Sequence, residues 1–323
     1  MPGIEKRVLA FHYVWYGTPW GPSGAWRAWP AEENGVARYR PDLVFGGRRM
    51  IMSPDYPLDG PYDSLDPALI KRQLADLRTA QIDTSVISWW GIGDYSDRVL
   101  DALVTAADEG PAHKVTIYYE TPMLGWRAKD KSPADVALAD MRYLLGKHGS
   151  RTCWLKAGGR PVIVIYVLDT QPLEVWRAAR EGLQAAGFDP FFLGDSFKLE
   201  TLAVMDGLHT YNPVGRLVRG EDLGATYRAV AEGVHGAGKL FAATVLPGYD
   251  DRKIRTPGLC LPRENGGCYD RTWRAALSSQ PEWILVTSWN EWFEGSEIEP
   301  SLEFGSDYLW QTAQYARAFK AGQ

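Results

Sequence analysis

Eight times along the chain a short β-rich apolar run is followed by a stretch with helical apolar spacing. That alternation calls for parallel strands joined by crossover helices. The strand candidates are residues 8–13, 84–90, 115–120, 161–166, 190–194, 207–211, 240–246 and 283–289, the sixth being the weakest. Between them, 67–81 places Ile70, Leu74 and Leu77 on one helical face, with Asp66 as N-cap and Pro67 at the first helical position. Ser132 and Pro133 open a second helix in the same way, carrying Val136, Met141, Leu144 and Leu145. Further helices are expected over 97–108, 172–186, 223–237, 269–279 and 306–320, with 199–205 either a further helix or only a short turn. The expectation is an α/β protein, a single-domain (β/α)8 TIM barrel. A length of 323 residues suits it, since such barrels start at about 250 residues. The Gly-, Pro- and Trp-rich stretch 17–62 is too long for an ordinary connection and is expected over the barrel mouth. An open doubly wound sheet is the structural alternative, but aromatics stand after the first strand where its Gly-rich dinucleotide fingerprint would be.

Composition narrows the partners. A formal net charge of −5 with intermixed signs offers no basic stripe for a phosphate backbone, so nucleic acid is not expected. No apolar run approaches the roughly 20 residues of a membrane-spanning helix, so no membrane partner is expected either. The 14 Trp and 16 Tyr lean towards an oligo- or polysaccharide, because flat rings with a polar edge suit the faces of sugars as well as a core. Cys153, Cys260 and Cys268 are too few for a disulfide framework; Cys260 and Cys268 either close one loop or stay free. Residues 1–7 are mixed in charge and lead into His12, Trp15 and Tyr16 without a small-residue cleavage site. A cytoplasmic location is the expectation, although a secreted or periplasmic chain whose leader had been removed would read the same way. The oligomeric state is not legible.

A barrel of this kind places its chemistry at the C-terminal ends of its strands. Those ends carry His12, Tyr13, Trp15 and Tyr16; Trp89 and Trp90; Tyr118, Tyr119 and Glu120; Tyr166; Asp195; Tyr211 and Asn212; Tyr249, Asp250 and Asp251; and Trp289, Asn290 and Glu291. Strand interiors such as Ile163, Val164 and Ile165 are plain by comparison. The last strand runs into Thr287-Ser-Trp-Asn-Glu-Trp-Phe-Glu-Gly-Ser-Glu-Ile-Glu-Pro300, with four carboxylates in nine residues. A solvated acidic loop is the bland alternative. Interleaving with Trp289, Trp292, Phe293 and Ile298 argues instead for partly enclosed groups, and enclosure raises one carboxyl pKa while a neighbour stays ionised. Such a split makes an acid and a base from two like groups, as glycosidic cleavage requires. There is no GxSxG elbow, HExxH pair, Walker loop or metal-ligand Cys spacing, and His12, His113, His148, His209 and His235 are scattered. No metal or other cofactor is expected.

These segments resemble glycoside hydrolase family 99, the endo-α-mannosidases and endo-α-1,2-mannanases. Residues 287–300 are similar to its T-S-W/F-N-E-W-H-E-G-T-Q-I-E signature. Leu246-Pro-Gly-Tyr-Asp-Asp-Arg-Lys-Ile-Arg255 and Arg263-Glu-Asn-Gly-Gly-Cys-Tyr269 resemble its P-G-Y-x-D-x-x-I-R and R-x-x-G-x-Y-Y segment, and His12-Tyr-Val-Trp-Tyr16 and Tyr62-Asp-Ser-Leu-Asp66 also fit. The resemblance implies a retaining, endo-acting barrel enzyme on α-mannose chains, proceeding through a 1,2-anhydro sugar. Glu291 would take the proton of the sugar 2-hydroxyl, and Glu294 would protonate the leaving oxygen and then activate water. Glu120 matches a position near the 2-hydroxyl. Tyr13, Trp15, Tyr16, Trp89, Tyr119, Tyr211, Asn212, Tyr249, Arg263, Trp289 and Asn290 complete the expected substrate-binding set. Phe293 replaces the usual His and Glu297 the usual Gln, so a polar contact is lost and a negative charge gained close to the catalytic pair; Thr256-Pro-Gly-Leu-Cys260 departs from a Pro-Trp-Asn-containing loop. These departures bear on substrate preference. Two other readings are a hydrolase or transglycosylase on a different α-linked glycan, and a non-catalytic carbohydrate-binding barrel.

Overall fold

The computed structural model describes residues 4–33 and 36–322. Met1, Pro2 and Gly3 of the N-terminal stretch, and Asn34 and Gly35 of the long loop, lie outside the described residues. Eight parallel strands close on themselves: β1 (Arg7–His12), β2 (Thr84–Trp89), β3 (Lys114–Tyr119), β4 (Arg160–Ile165), β5 (Phe191–Asp195), β6 (Gly207–His209), β7 (Leu240–Val245) and β8 (Trp283–Val286). Each pairs with its chain neighbours, and the ring shuts where Val8 and Leu9 of β1 lie opposite Ile284 and Leu285 of β8.

The helices behind them are α1 (Pro67–Thr79), α2 (Tyr95–Glu109), α3 (Pro133–His148), α4 (Leu173–Ala185), α5 (Leu223–Gly236), α6 (Gly267–Leu277) and α7 (Asp307–Ala321). Between β5 and β6 stands only the 3₁₀ turn Leu199–Ala203, the shorter of the two readings of that stretch. Caps set the starts: Asp66 accepts from Ala68 N–H, Ser132 from Asp135 N–H and Asp222 from Ala225 N–H. Asp94 does the same for α2 and starts it two residues earlier than its apolar periodicity suggests. Two short helices, Pro122–Arg127 and Val214–Val218, have too few turns to leave a periodic signal in sequence.

Strand alternation divides the core in two. Val8, Ala10, Ile87, Ile117, Ile163 and Ile165 face the helices, while Leu9, Phe11, Val86, Val162, Val164, Leu193 and Leu285 fill the barrel. Burying each such aliphatic side chain contributes about 1.5–3 kcal/mol.

Within residues 17–62, Ala31–Glu33 pairs antiparallel with Val36–Tyr39 and Val44–Phe45 with Arg48–Arg49. The stretch is tied down over the end of β8: Trp29 stacks on Tyr16 at 4.4 Å and donates to Tyr62 O at 2.9 Å, and Ser53 Oγ donates to Trp292 O at 2.8 Å. All three cysteines are free, so the loop between Cys260 and Cys268 has no covalent closure. Among the described residues no helix is long and apolar enough to cross a membrane.

Candidate active site

The segment after β8 is held by hydrogen bonds to itself, which is why the strand ends at Val286 although the apolar pattern runs to Trp289. Ser288 N–H donates to Ser296 O at 2.8 Å, Ile298 N–H to Ser288 O at 3.0 Å and Glu299 N–H to Trp289 O at 2.8 Å. Glu291 N–H in turn donates to Ser288 Oγ at 2.7 Å. Gly295 closes the turn at φ +53°, and a Cβ there would sit 2.7 Å from Pro54, so the position needs glycine on both counts. Asn290 bolts this loop to β1: its Oδ1 accepts from Tyr13 N–H at 2.7 Å, and its Nδ2 donates to Tyr13 O at 2.8 Å and Tyr62 Oη at 3.0 Å.

Glu291 and Glu294 flank the single 3₁₀ turn Trp292–Glu294, and both are buried. Among the described residues Glu291 accepts only the Phe293 N–H, at 3.2 Å. Burial first, and then repulsion from Glu294, hold its carboxyl well above the ordinary range. Glu294 has stronger partners: Oε1 accepts from Arg255 Nη1 at 2.9 Å and Oε2 from Tyr211 Oη at 3.2 Å. Opposite them Glu120 accepts from Ser88 Oγ at 2.6 Å. Burial, with repulsion from Glu294 and Asp195 outweighing that hydrogen bond, pushes it up to about 8. The three carboxyls share one space. The Tyr13 hydroxyl feels Glu291, Glu120 and Glu294 together, and that of Tyr211 feels both Glu294 and Glu291. Tyr249 stands on the far side of Arg255, accepting from its Nη1 at 2.8 Å and donating to Asp251 at 3.0 Å. Trp15 covers the turn, stacked on Phe293 at 5.6 Å.

Glu291, Glu294, Glu120, Tyr13, Trp15, Tyr211 and Tyr249 therefore cluster at the C-terminal mouth of the barrel. Seven other residues of the expected set do not join them. Trp89 and Tyr119 point outward to the helices, donating to Asp97 at 3.0 Å and Asp140 at 2.9 Å, because consecutive strand residues face opposite sides. Their neighbours Trp90 and Tyr118 take the inward positions. Trp289 is buried in the helix-facing core, and Tyr16 uses its hydroxyl on Asn290 O at 2.9 Å, so both support the loop from behind, as Asn290 does. Arg263 pairs with Glu297 at 2.6 Å on the far side of the loop. Glu297 is 1 % exposed and faces Arg263, and burial holds its carboxyl well above the ordinary range against that arginine. Asn212 is half-buried, and its Oδ1 caps a backbone turn, accepting from Val214 N–H at 2.8 Å.

Arg255 is the main residue the sequence reading missed as a site group. It lies in the similar segment 246–255, and its position four residues after Asp251 gives an i,i+4 ion pair at 2.7 Å that aims it at Glu294. Among the described residues no group of three or more His, Cys, Asp or Glu is placed to hold a metal ion.

Comparison with known proteins places the chain in a family. The chain matches the family model described as glycosyl hydrolase family 99 over residues 3–310. It is 27% identical over 320 residues to a glycoprotein endo-alpha-1,2-mannosidase-like protein of Danio rerio, covering 91% of this chain and 71% of the relative. To the glycoprotein endo-alpha-1,2-mannosidase of Rattus norvegicus it is 26% identical over 328 residues, covering 94% and 69%. The solved GH99 endo-alpha-mannosidase of Bacteroides thetaiotaomicron superposes with a TM-score of 0.83 at 25% identity over 99% of both chains. With a family signature spread from first strand to last and a closed barrel that gathers its carboxyls at one mouth, the chain belongs to glycosyl hydrolase family 99.

Proposed function

We propose that this enzyme is a retaining, endo-acting α-mannosidase that cleaves internal α-mannosidic bonds through a 1,2-anhydro sugar. One observation carries the reading: two buried carboxyls, Glu291 and Glu294, flank a single turn at the barrel mouth beside a third, Glu120, and burial with mutual repulsion raises Glu291 and Glu120. The substrate supplies the nucleophile, so the protein has only to position an acid and a base. Glu291 takes the proton of the 2-hydroxyl, O2 attacks C1 and the glycosidic bond breaks. The leaving oxygen takes the proton of Glu294. Water then opens the epoxide at C1, giving its proton to Glu294 while Glu291 returns one to O2. Two inversions at C1 leave the configuration retained.

The ion pair with Arg255 falls on Glu294, while Glu291 is the carboxyl that burial and its neighbour hold up, the reverse of this assignment. Arg255 has Asp251 and Tyr249 as alternative partners, so a bound sugar that draws it off Glu294 frees that carboxyl to be the acid. The reversed reading, Glu291 as acid and Glu294 as base, keeps Arg255 in place.

The test is product release from an α-1,2-linked mannan by wild type, Glu291→Gln and Glu294→Gln. Loss in both folded variants supports the pair; an inactive wild type sinks the mannan assignment. Leaving groups of graded acidity then assign the roles, because only the variant lacking the acid regains rate on an activated substrate. Rescue of Glu294→Gln fits the proposal, and rescue of Glu291→Gln overturns it.

A further inference from the structure

Three exposed tryptophans stand out among the described residues: Trp20 at 58 %, Trp126 at 65 % and Trp310 at 55 %. Trp20 is closed off, edge-on against Trp26 with Arg49 over its ring at 4.7 Å. Trp310 lies on α7 behind the barrel. Trp126 alone is the end of a continuous row of rings that begins between the two carboxyls of the cleft. Phe293 stacks on Trp15 at 5.6 Å and 14°, Trp15 meets Trp90 at 6.0 Å and 49°, and Trp90 stacks on Trp126 at 6.0 Å and 19°.

The row is fixed at both ends. Its middle ring is tied to the carboxyl cluster, since Trp90 Nε1 donates to Ser88 Oγ at 2.9 Å and Ser88 donates to Glu120. The short helix bearing Trp126 is pinned by its other side chains. Met123 and Leu124 are buried, and Arg127 forks onto Asp140, with Nη2 to Oδ1 at 2.8 Å. Asp140 is also held by the Tyr119 hydroxyl. Gly91, at φ +127°, lets Arg127 pass, since a Cβ there would meet its Nη1 at 2.9 Å. The anchoring therefore holds Trp126 in register with Trp90 while leaving its outer face to solvent. The exposed ring thus extends a contiguous apolar surface that runs out from the carboxyl cluster, and the C–H faces of a sugar match it.

Resting on the α-mannosidase reading, we propose that Trp126 forms a distal sugar subsite, which engages a unit of the same α-linked chain beyond those flanking the scissile bond. The enzyme is thus built for a chain long enough to reach from the Glu291–Glu294 turn along Trp15 and Trp90 to Trp126. The occupant is the substrate's own glycan because the row is continuous with the cleft.

Two measurements test this. The first is kcat/KM on α-mannooligosaccharides of increasing length for wild type, Trp126→Ala and Trp126→Phe. Wild type gains with length; Trp126→Ala loses about fivefold on the longest chains and nothing on the shortest cleaved one, and Trp126→Phe recovers most of the gain. An equal loss at every length, or none, overturns the subsite. The second is retardation of the same proteins in native gels holding α-mannan, α-glucan or no polysaccharide. If wild type cleaves no mannan yet one polysaccharide retards it more than Trp126→Ala, the subsite stands and the mannosidase reading fails. If no polysaccharide retards wild type more than the variant and no length gain exists, the subsite is wrong.

Discussion

The loop that follows β8 carries four glutamates of the same sequence character and treats its two halves in opposite ways. Glu291 and Glu294 face the cleft with capacity left over: one accepts a single backbone N–H, and the other pairs with an arginine that has two other partners. Glu297 and Glu299 are held by partners within the protein, Glu297 through one of its two oxygens. Glu297 lies 2.6 Å from Arg263, which itself sits over Phe304 and Tyr308 at 4.4 and 4.5 Å. Glu299 accepts from Gln73 Nε2 and Tyr62 Oη, both at 2.7 Å, and from Trp292 Nε1 at 3.2 Å. Burial does not separate the halves, since all four carboxylates are buried. What separates them is whether the donors around each group are already satisfied by it, and so whether a substrate can change its protonation.

The largest effects should fall on opposite readouts. Glu291→Gln or Glu294→Gln lowers kcat by about 10²–10⁴-fold, the usual worth of a positioned acid or base, with the unfolding midpoint nearly unchanged. Either variant unfolding with Glu299→Gln at a much lower midpoint than wild type would erase the distinction between the halves. Next comes Arg263→Met, which leaves Glu297 buried without its partner and should cost about 3–5 kcal/mol in urea unfolding. Glu297→Gln in the same background restores part of that loss. A double variant no more stable than Arg263→Met would mean that Glu297 needs no countercharge.

The contrast explains how much of the molecule the sequence made legible. Eight strand–helix repeats set by apolar spacing alone led to the barrel, and a dense carboxylate segment after the last strand led to the site. The orientation of neighbouring aromatics was not readable in the same way. Trp89-Trp90 and Tyr118-Tyr119 are paired rings, and only the pleat, read to the exact residue at which each strand begins, says which ring faces inward. Nor did spacing show that Glu297 finds Arg263, a partner 34 residues upstream, or that Arg255 crosses a loop to reach Glu294. Both pairings depend on how irregular loops fold back, which local periodicity does not encode.

The smallest effect is the sharpest test of the boundary between the halves, because it follows a field and not a contact. Burial and then Glu294 and Asp195 keep the Glu120 carboxyl up at about 8, against Ser88. The folded protein thus holds this proton more tightly than the unfolded chain, whose glutamates ionise near 4.5. Stability from this group is complete below that unfolded value and is lost as pH rises through about 8. Removing the Glu294 charge lowers the Glu120 pKa and so moves that loss to lower pH, with a stability difference at pH 8 of about 1 kcal/mol, on the scale of one pKa unit. Replacing Glu297 should leave it where it is, since Glu297 faces Arg263 and is not among the groups that act on Glu120. The two double-mutant cycles, Glu120→Gln with Glu294→Gln and Glu120→Gln with Glu297→Gln, read by urea unfolding from pH 5 to 9, separate this coupling from the direct cost of each substitution. Coupling in the first cycle alone places the boundary between Glu294 and Glu297. Equal coupling in both would make the four glutamates one electrostatic unit.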